Sequence, residues 1–140
     1  FLGSVNIEKN IIDHVESIIR NISFRGGKST QCFKSPELDV VQDADRLDAL
    51  GAIGIALTFN FGGYKGREIF NPDIKPKTDM SRCEYVNISS PSLNHFYEKL
   101  LLLKDTMNTE TGRLMAIKRH DFMLRYLDQF NLEWQECCGE

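Results

Sequence analysis

The sequence predicts an all-α protein, a helical bundle, and three observations carry that expectation. Apolar residues recur at three- and four-residue steps through four long segments. Capping residues stand where several of those segments begin. No stretch shows a convincing strand pattern. With 140 residues, 41% of them hydrophobic and 26% charged, one soluble globular domain over residues 1–140 is expected, since a chain of this length buries about 70% of its extended surface.

The first helix is expected from about Ile7 to Ser23. Ile11, Ile12, Val15, Ile18, Ile19 and Ile22 form its apolar face, and Glu8, Asp13, Glu16 and Arg20 the other. Arg25-Gly26-Gly27 ends it. The second helix opens with Ser35 as N-cap, Pro36 at the first helical position and Glu37 in the first turn. It is read as continuous to about Phe59 and apolar nearly all round, which places it in the middle of the bundle. Gly51 and Gly54 inside it each cost about 1 kcal/mol relative to alanine, so close packing against a neighbouring helix is the reason expected for them. Residues 60–90 are irregular and read as a functional or covering loop. The third helix follows Ser90 and Pro91, with Leu93, Phe96, Tyr97, Leu100, Leu103 and Met107 as its stripe. The fourth is capped by Thr109 and reaches about Phe130, leaving a tail, 131–140, that Trp134 anchors to the bundle.

The net charge of −3 excludes the strongly basic footprint of a nucleic-acid polymer binder. No apolar run approaches the ~20 residues of a membrane span. The stretch from Leu2 to Asn10 has neither the basic start nor the apolar run of a secretory signal. Cys32, Cys83, Cys137 and Cys138 form no Cys-x-x-Cys pair and have no histidine at finger-like spacing, so free thiols in a reducing, cytoplasmic compartment are expected. That compartment makes the sequons at Asn21 and Asn87 accidental.

Asp43-Ala44-Asp45-Arg46-Leu47-Asp48-Ala49 is the segment most able to carry chemistry. At 100° per residue Asp45 falls within a stripe made by Leu38, Val41, Ala49, Ala52 and Ala56; Asp48 lies beside it and Asp43 projects nearly opposite. A carboxylate aimed into an apolar face needs a cation or several donors. The alanines leave room for a metal ion or a phosphate, and pairing of Asp45 and Asp48 with arginines, or capping of another helix end, accounts for the pattern equally well. Arg46 projects away from Asp45 and is expected to brace a loop.

Weaker candidates lie elsewhere. Arg25, Lys28, Lys65 and Arg67 stand on two Gly-rich loops where amides and cations could meet a phosphate; solvated loop charge is the simpler reading. Lys104 lies within the third helix's apolar stripe, either snorkelling to water or facing a carboxylate or phosphate. His14, at the edge of the first helix's apolar face, is read as a packing histidine ahead of a group beside a metal. Gly27-Lys28-Ser29 lacks the glycine and preceding strand of a phosphate-binding P-loop.

The run from Val41 to Ala56 resembles the last metal-binding helix of the HD superfamily of metal-dependent phosphohydrolases. The resemblance extends to Ile18–Phe24, to Asn94–Asp105 and to Met107–Thr111, and points to small stand-alone HD proteins acting on nucleotides or other phosphate esters. That family holds a divalent cation, manganese, magnesium or similar, with a histidine, a His-Asp pair on a later helix and a distant aspartate in an Ala-Asp-x-Leu setting. The resemblance places Asp45 at that last position, with Asp43 as runner-up and Asp48 near it. Such a metal would polarise a phosphoryl oxygen and lower the pKa of a bound water.

The first histidine and the His-Asp pair should precede Asp45. Upstream stands only His14, and His120-Asp121 lies far downstream, in the wrong order. The chain starts at Phe1, so the resemblance implies an orthogonal helical bundle, an HD domain without the N-terminal helices that carry those ligands, inactive alone, with one ligand of four and no catalytic residue assigned. The alternative is a non-catalytic helical protein that acts through a partner, including a second copy, across the apolar face that missing helices would leave.

Overall fold

The structure, a computed structural model, describes residues 4, 6–22, 33–77 and 90–138. Its elements are α1 (Lys9–Asn21), α2 (Pro36–Asp48), α3 (Gly51–Tyr64), a short α4 (Asn94–Glu98), a 3-10 helix (Leu100–Thr106) and α5 (Glu110–Cys138). Among the described residues there is no strand, and no helix is long and apolar enough to cross a membrane. Arg25-Gly26-Gly27, Lys28, Cys32, Cys83 and Asn87 lie outside the described residues.

The start of α2 follows the sequence expectation: Ser35 Oγ accepts from Leu38 N at 3.2 Å and Pro36 stands at the first position. Its end does not. The single helix expected to Phe59 breaks at Ala49-Leu50, and α3 restarts at Gly51 with φ +75°. That left-handed backbone is open to glycine at little cost. Gly54 then lies so close to the Ala49 carbonyl that a side chain would collide with it. Both glycines build the corner between α2 and α3, whereas the expectation put them inside one helix, packed closely against a neighbouring helix; Gly51 does lie against the Arg119 side chain of α5.

The expected third helix is likewise divided. Lys99, at φ −144° and ψ −56°, separates α4 from the 3-10 helix, although Leu93, Phe96, Leu100, Leu103 and Met107 are all buried as the stripe requires. The core joins these residues to Leu47, Leu50 and Ile55 and to Ala116, Met123 and Leu127 of α5. Phe96 and Tyr126 stack at 6.0 Å. Helix α5 runs on to Cys138, so the expected tail is helical, and Trp134 packs against Phe70 at 5.1 Å and Phe130 at 5.9 Å. Cys137 is an exposed free thiol.

The expectation that the apolar second helix sits in the middle of the bundle holds for only one face of α3. Gly51, Gly54, Ile55 and Gly62 are buried, whereas Ile53, Leu57, Phe61 and Tyr64 are 62%, 47%, 52% and 81% exposed.

Candidate functional site

A cavity of about 630 Å³ opens between the end of α2, the outer edge of α3 and the start of α4. Asp45, Asp48 and Ala49 form its acidic wall. Leu57, Thr58 and Phe61 of α3 form an apolar side, and Lys65, Arg67 and Lys99 supply a cationic wall that also holds His95. Ser90, Ser92 and Glu98 close one end.

Backbone pairing explains why these walls meet. Ser92 N donates to Glu68 O at 2.8 Å and Leu93 N to Ile69 O at 2.9 Å, which seats the entry to α4 on the segment leaving α3. Asn94 Nδ2 donates to Ile74 O at 2.8 Å. The buried Glu98 carboxyl group accepts from Lys77 N at 3.3 Å and from Ser90 Oγ at 3.2 Å, so it ties Lys77 and Ser90 to α4.

Asp45 does not point into the bundle as the single-helix wheel placed it; its residue is exposed and faces the cavity, as does Asp48. The buried carboxylate of α2 is Asp43, 3% exposed. It accepts from Asn108 N and Thr109 N, both at 2.8 Å, and from Thr109 Oγ1 at 2.7 Å. Asp43 therefore caps the approach to α5, where an anion also meets the positive end of the helix dipole. Arg46 braces as expected: it donates to the Thr106 carbonyl and to Gln42 Oε1, and pairs with Asp43 at 3.5 Å.

The other expected residues divide cleanly. Lys65 and Arg67 line the cavity, while Arg25 and Lys28 lie outside the described residues. His14 is not part of the cavity wall: its Nε2 stands 3.4 Å from Glu37 Oε2 and its ring edges against Phe33 at 5.6 Å, joining α1 to the start of α2. Lys104 is also absent from that wall and pairs with Asp105 at 3.8 Å. His120, on α5, has a buried Nδ1 with no hydrogen-bond partner among the described residues, and burial followed by Lys104 pulls its pKa down.

His95 and Lys99 were not singled out from the sequence. They stand four residues apart at the edge of an otherwise buried element. Burial, then the charges of Lys99 and Arg67, lowers the His95 pKa from 6.5 to about 4. Burial also lowers Lys99, with Asp45 opposing that shift by favouring the ammonium. The cavity thus holds a neutral imidazole among cations, opposite carboxylates. A compact anion with several oxygens suits the cationic wall, and a hard cation suits the acidic one. Among the described residues, however, no group of three or more His, Cys, Asp or Glu side chains could hold a metal ion.

No protein-family model matches the chain. Over 124 residues, 88% of the chain, it is 41% identical to the uncharacterized protein YpgQ of Bacillus subtilis (strain 168), and it spans 53% of YpgQ's length. A crystal structure from Lactobacillus plantarum is similar with a TM-score of 0.85 at 39% identity, over 96% of this chain and 64% of that one. An HD-superfamily hydrolase from Bacillus thuringiensis is similar with a TM-score of 0.71 at 45% identity, over 96% of this chain and 58% of that one. The fold is HD-like. Among similar structures with this HD-like fold is YpgQ in complex with ADP, with a TM-score of 0.72 at 38% identity, covering 94% of this chain and 57% of that one.

Proposed function

We propose that this HD-like chain is part of a divalent-metal-dependent phosphohydrolase acting on nucleotides or small phosphate esters, and that the α2–α4 cavity is its substrate site. One observation carries the reading: carboxylates Asp45 and Asp48 line one cavity together with Lys65, Arg67, His95 and Lys99, and the Asp45 charge acts on the Lys99 ammonium. The similarity to an HD-superfamily hydrolase and to a protein crystallised with ADP supports it.

Within this reading the cationic wall binds and orients phosphate oxygens, and His95 donates or accepts one hydrogen bond without adding charge near neutral pH. Asp45 is a metal ligand, with Asp48 beside it. The described residues do not complete a metal centre, so its other ligands would come from outside them.

Calorimetric titration with ADP tests the reading, followed by manganese-dependent hydrolysis of a nucleoside triphosphate panel. Lys99→Ala is expected to weaken ADP binding about ten-fold or more, the loss of a charge-assisted hydrogen bond. Absence of both ADP binding and hydrolysis would overturn the proposal.

The exposed stripe of Ile53, Leu57, Phe61 and Tyr64 on α3 favours a second reading, a non-catalytic helical protein that acts through a partner or a second copy. Concentration-dependent association abolished by Ile53→Glu, with no binding of ADP, would select it.

A further inference from the structure

We infer that Phe61 is a positioning residue of the phosphate wall, its ring gathering Lys65 and Arg67 at the mouth of the cavity. The inference rests on the phosphate-binding reading of that cavity and adds the device that orders two of its cations.

The side chain lies outside the hydrophobic core and is 52% exposed, so packing alone does not account for it. It lines the cavity, and two cations stand over its ring: Lys65 Nζ at 5.6 Å from the centroid and Arg67 Cζ at 5.8 Å. Both distances lie within the range of cation–π attraction. Lys65 is also 5.4 Å from the Tyr64 ring, which leaves it partly held when Phe61 is removed.

The local sequence explains how one ring reaches both charges. Phe61 and Lys65 are four residues apart at the end of α3, so they share a helix face. Arg67, six residues on, would leave that face if the helix continued. Instead Gly66 takes φ +65°, Gly66 N donates to Gly63 O at 3.1 Å and Arg67 N donates to Gly62 O at 2.9 Å. This is the paired closure of a Schellman turn, which needs the left-handed residue that glycine supplies. The turn folds Arg67 back over the helix end. Phe61-x-x-x-Lys65-Gly66-Arg67 therefore encodes one ring and two cations.

Long basic side chains lose rotamer freedom when they clasp an anion, and that loss opposes binding. A ring that already restrains both heads removes part of the opposition. The expected consequence is an affinity effect without a change in charge.

The test uses inorganic pyrophosphate and ADP as probes in calorimetry, with thermal melting as a control for folding. Phe61→Leu should weaken pyrophosphate binding about five-fold, the scale of exposed cation–π contacts, with Phe61→Trp restoring it and little change in melting. In a Phe61→Leu background, Lys65→Gln should cost less than it does alone. Unchanged pyrophosphate affinity in Phe61→Leu, or loss of ADP affinity alone, overturns the inference, the latter because the ring then contacts the base. Failure of Phe61→Trp to restore binding also overturns it. If the unsubstituted chain binds neither probe, the phosphate reading itself falls.

Discussion

Asp43 and Asp45 stand two residues apart on α2 and meet opposite surroundings. Asp43 is buried and accepts from two backbone amides and one hydroxyl at the approach to α5. Asp45 is exposed on a cavity wall, with the Lys99 ammonium among the charges that act across it. The same side chain serves as an internal cap in one place and as an open anion in the other. The difference lies in how many fixed donors the fold aims at each, since a carboxylate is buried at tolerable cost only where donors are already in place.

The largest expected effect comes from the capped member. Asp43→Ala leaves the Asn108 and Thr109 amides without their acceptor and removes the carboxylate paired with Arg46, and should destabilise the fold by about 3 kcal/mol in chemical denaturation. An effect below about 1 kcal/mol would mean that water replaces the carboxylate and that the two aspartates differ less than their surroundings imply. Next is Thr109→Ala. It removes a hydroxyl that donates to Asp43 at 2.7 Å and accepts from Gly112 N at 3.0 Å, and should cost about 1 kcal/mol, the scale of an N-cap.

A pH titration sharpens the open side of the comparison. His95 is lowered from 6.5 to about 4, so folding favours its neutral form. Between those values the unfolded chain binds a proton that the folded chain refuses, and the His95 contribution to stability falls as pH drops through that window. NMR titration of the His95 ring should show a midpoint near 4, and Lys99→Ala should move it upward by removing a neighbouring ammonium that repels the imidazolium. A midpoint near 6.5 in the unsubstituted chain would mean that the cationic wall is far more solvated than its geometry implies.

The contrast between the aspartates also shows where sequence reasoning succeeded and failed. Ser35-Pro36, the isoleucine face of α1 and the Leu93–Met107 stripe are local signals: α1 and the start of α2 form where those residues place them, while the stripe is buried but divided at Lys99. The wheel for Asp45 assumed one helix from Ser35 to Phe59, so Ala52 and Ala56 were counted on a stripe they never join. The break depends on Gly51 adopting φ +75°, and a glycine in a helical pattern does not announce its sign of φ. Asp43 appeared to face outward because its donors come from residues 108 and 109, across a tertiary contact invisible to periodicity. Lys65 and Arg67 were legible because glycines flank them. His95 and Lys99 were not, because Leu93, Phe96 and Leu100 dominate the segment; the available signal was their i, i+4 spacing beside Ser90 and Ser92.

The smallest stability effect belongs to Asp45→Ala. An exposed carboxylate with no fixed donor network among the described residues should change folding stability by no more than about 0.5 kcal/mol. Its loss also removes the charge that favours the Lys99 ammonium, so the Lys99 pKa should fall further, read from NMR of its side-chain methylenes. Under the proposed function the same substitution should abolish manganese-dependent hydrolysis wherever that activity is present, while Asp43→Asn, which keeps an acceptor oxygen at the cap, should spare it once folded. Equal damage to stability from Asp45→Ala and Asp43→Ala would erase the distinction between cap and cavity wall. A negligible stability change joined to a lost metal-dependent rate would place the whole consequence of Asp45 in the chemistry of the cavity.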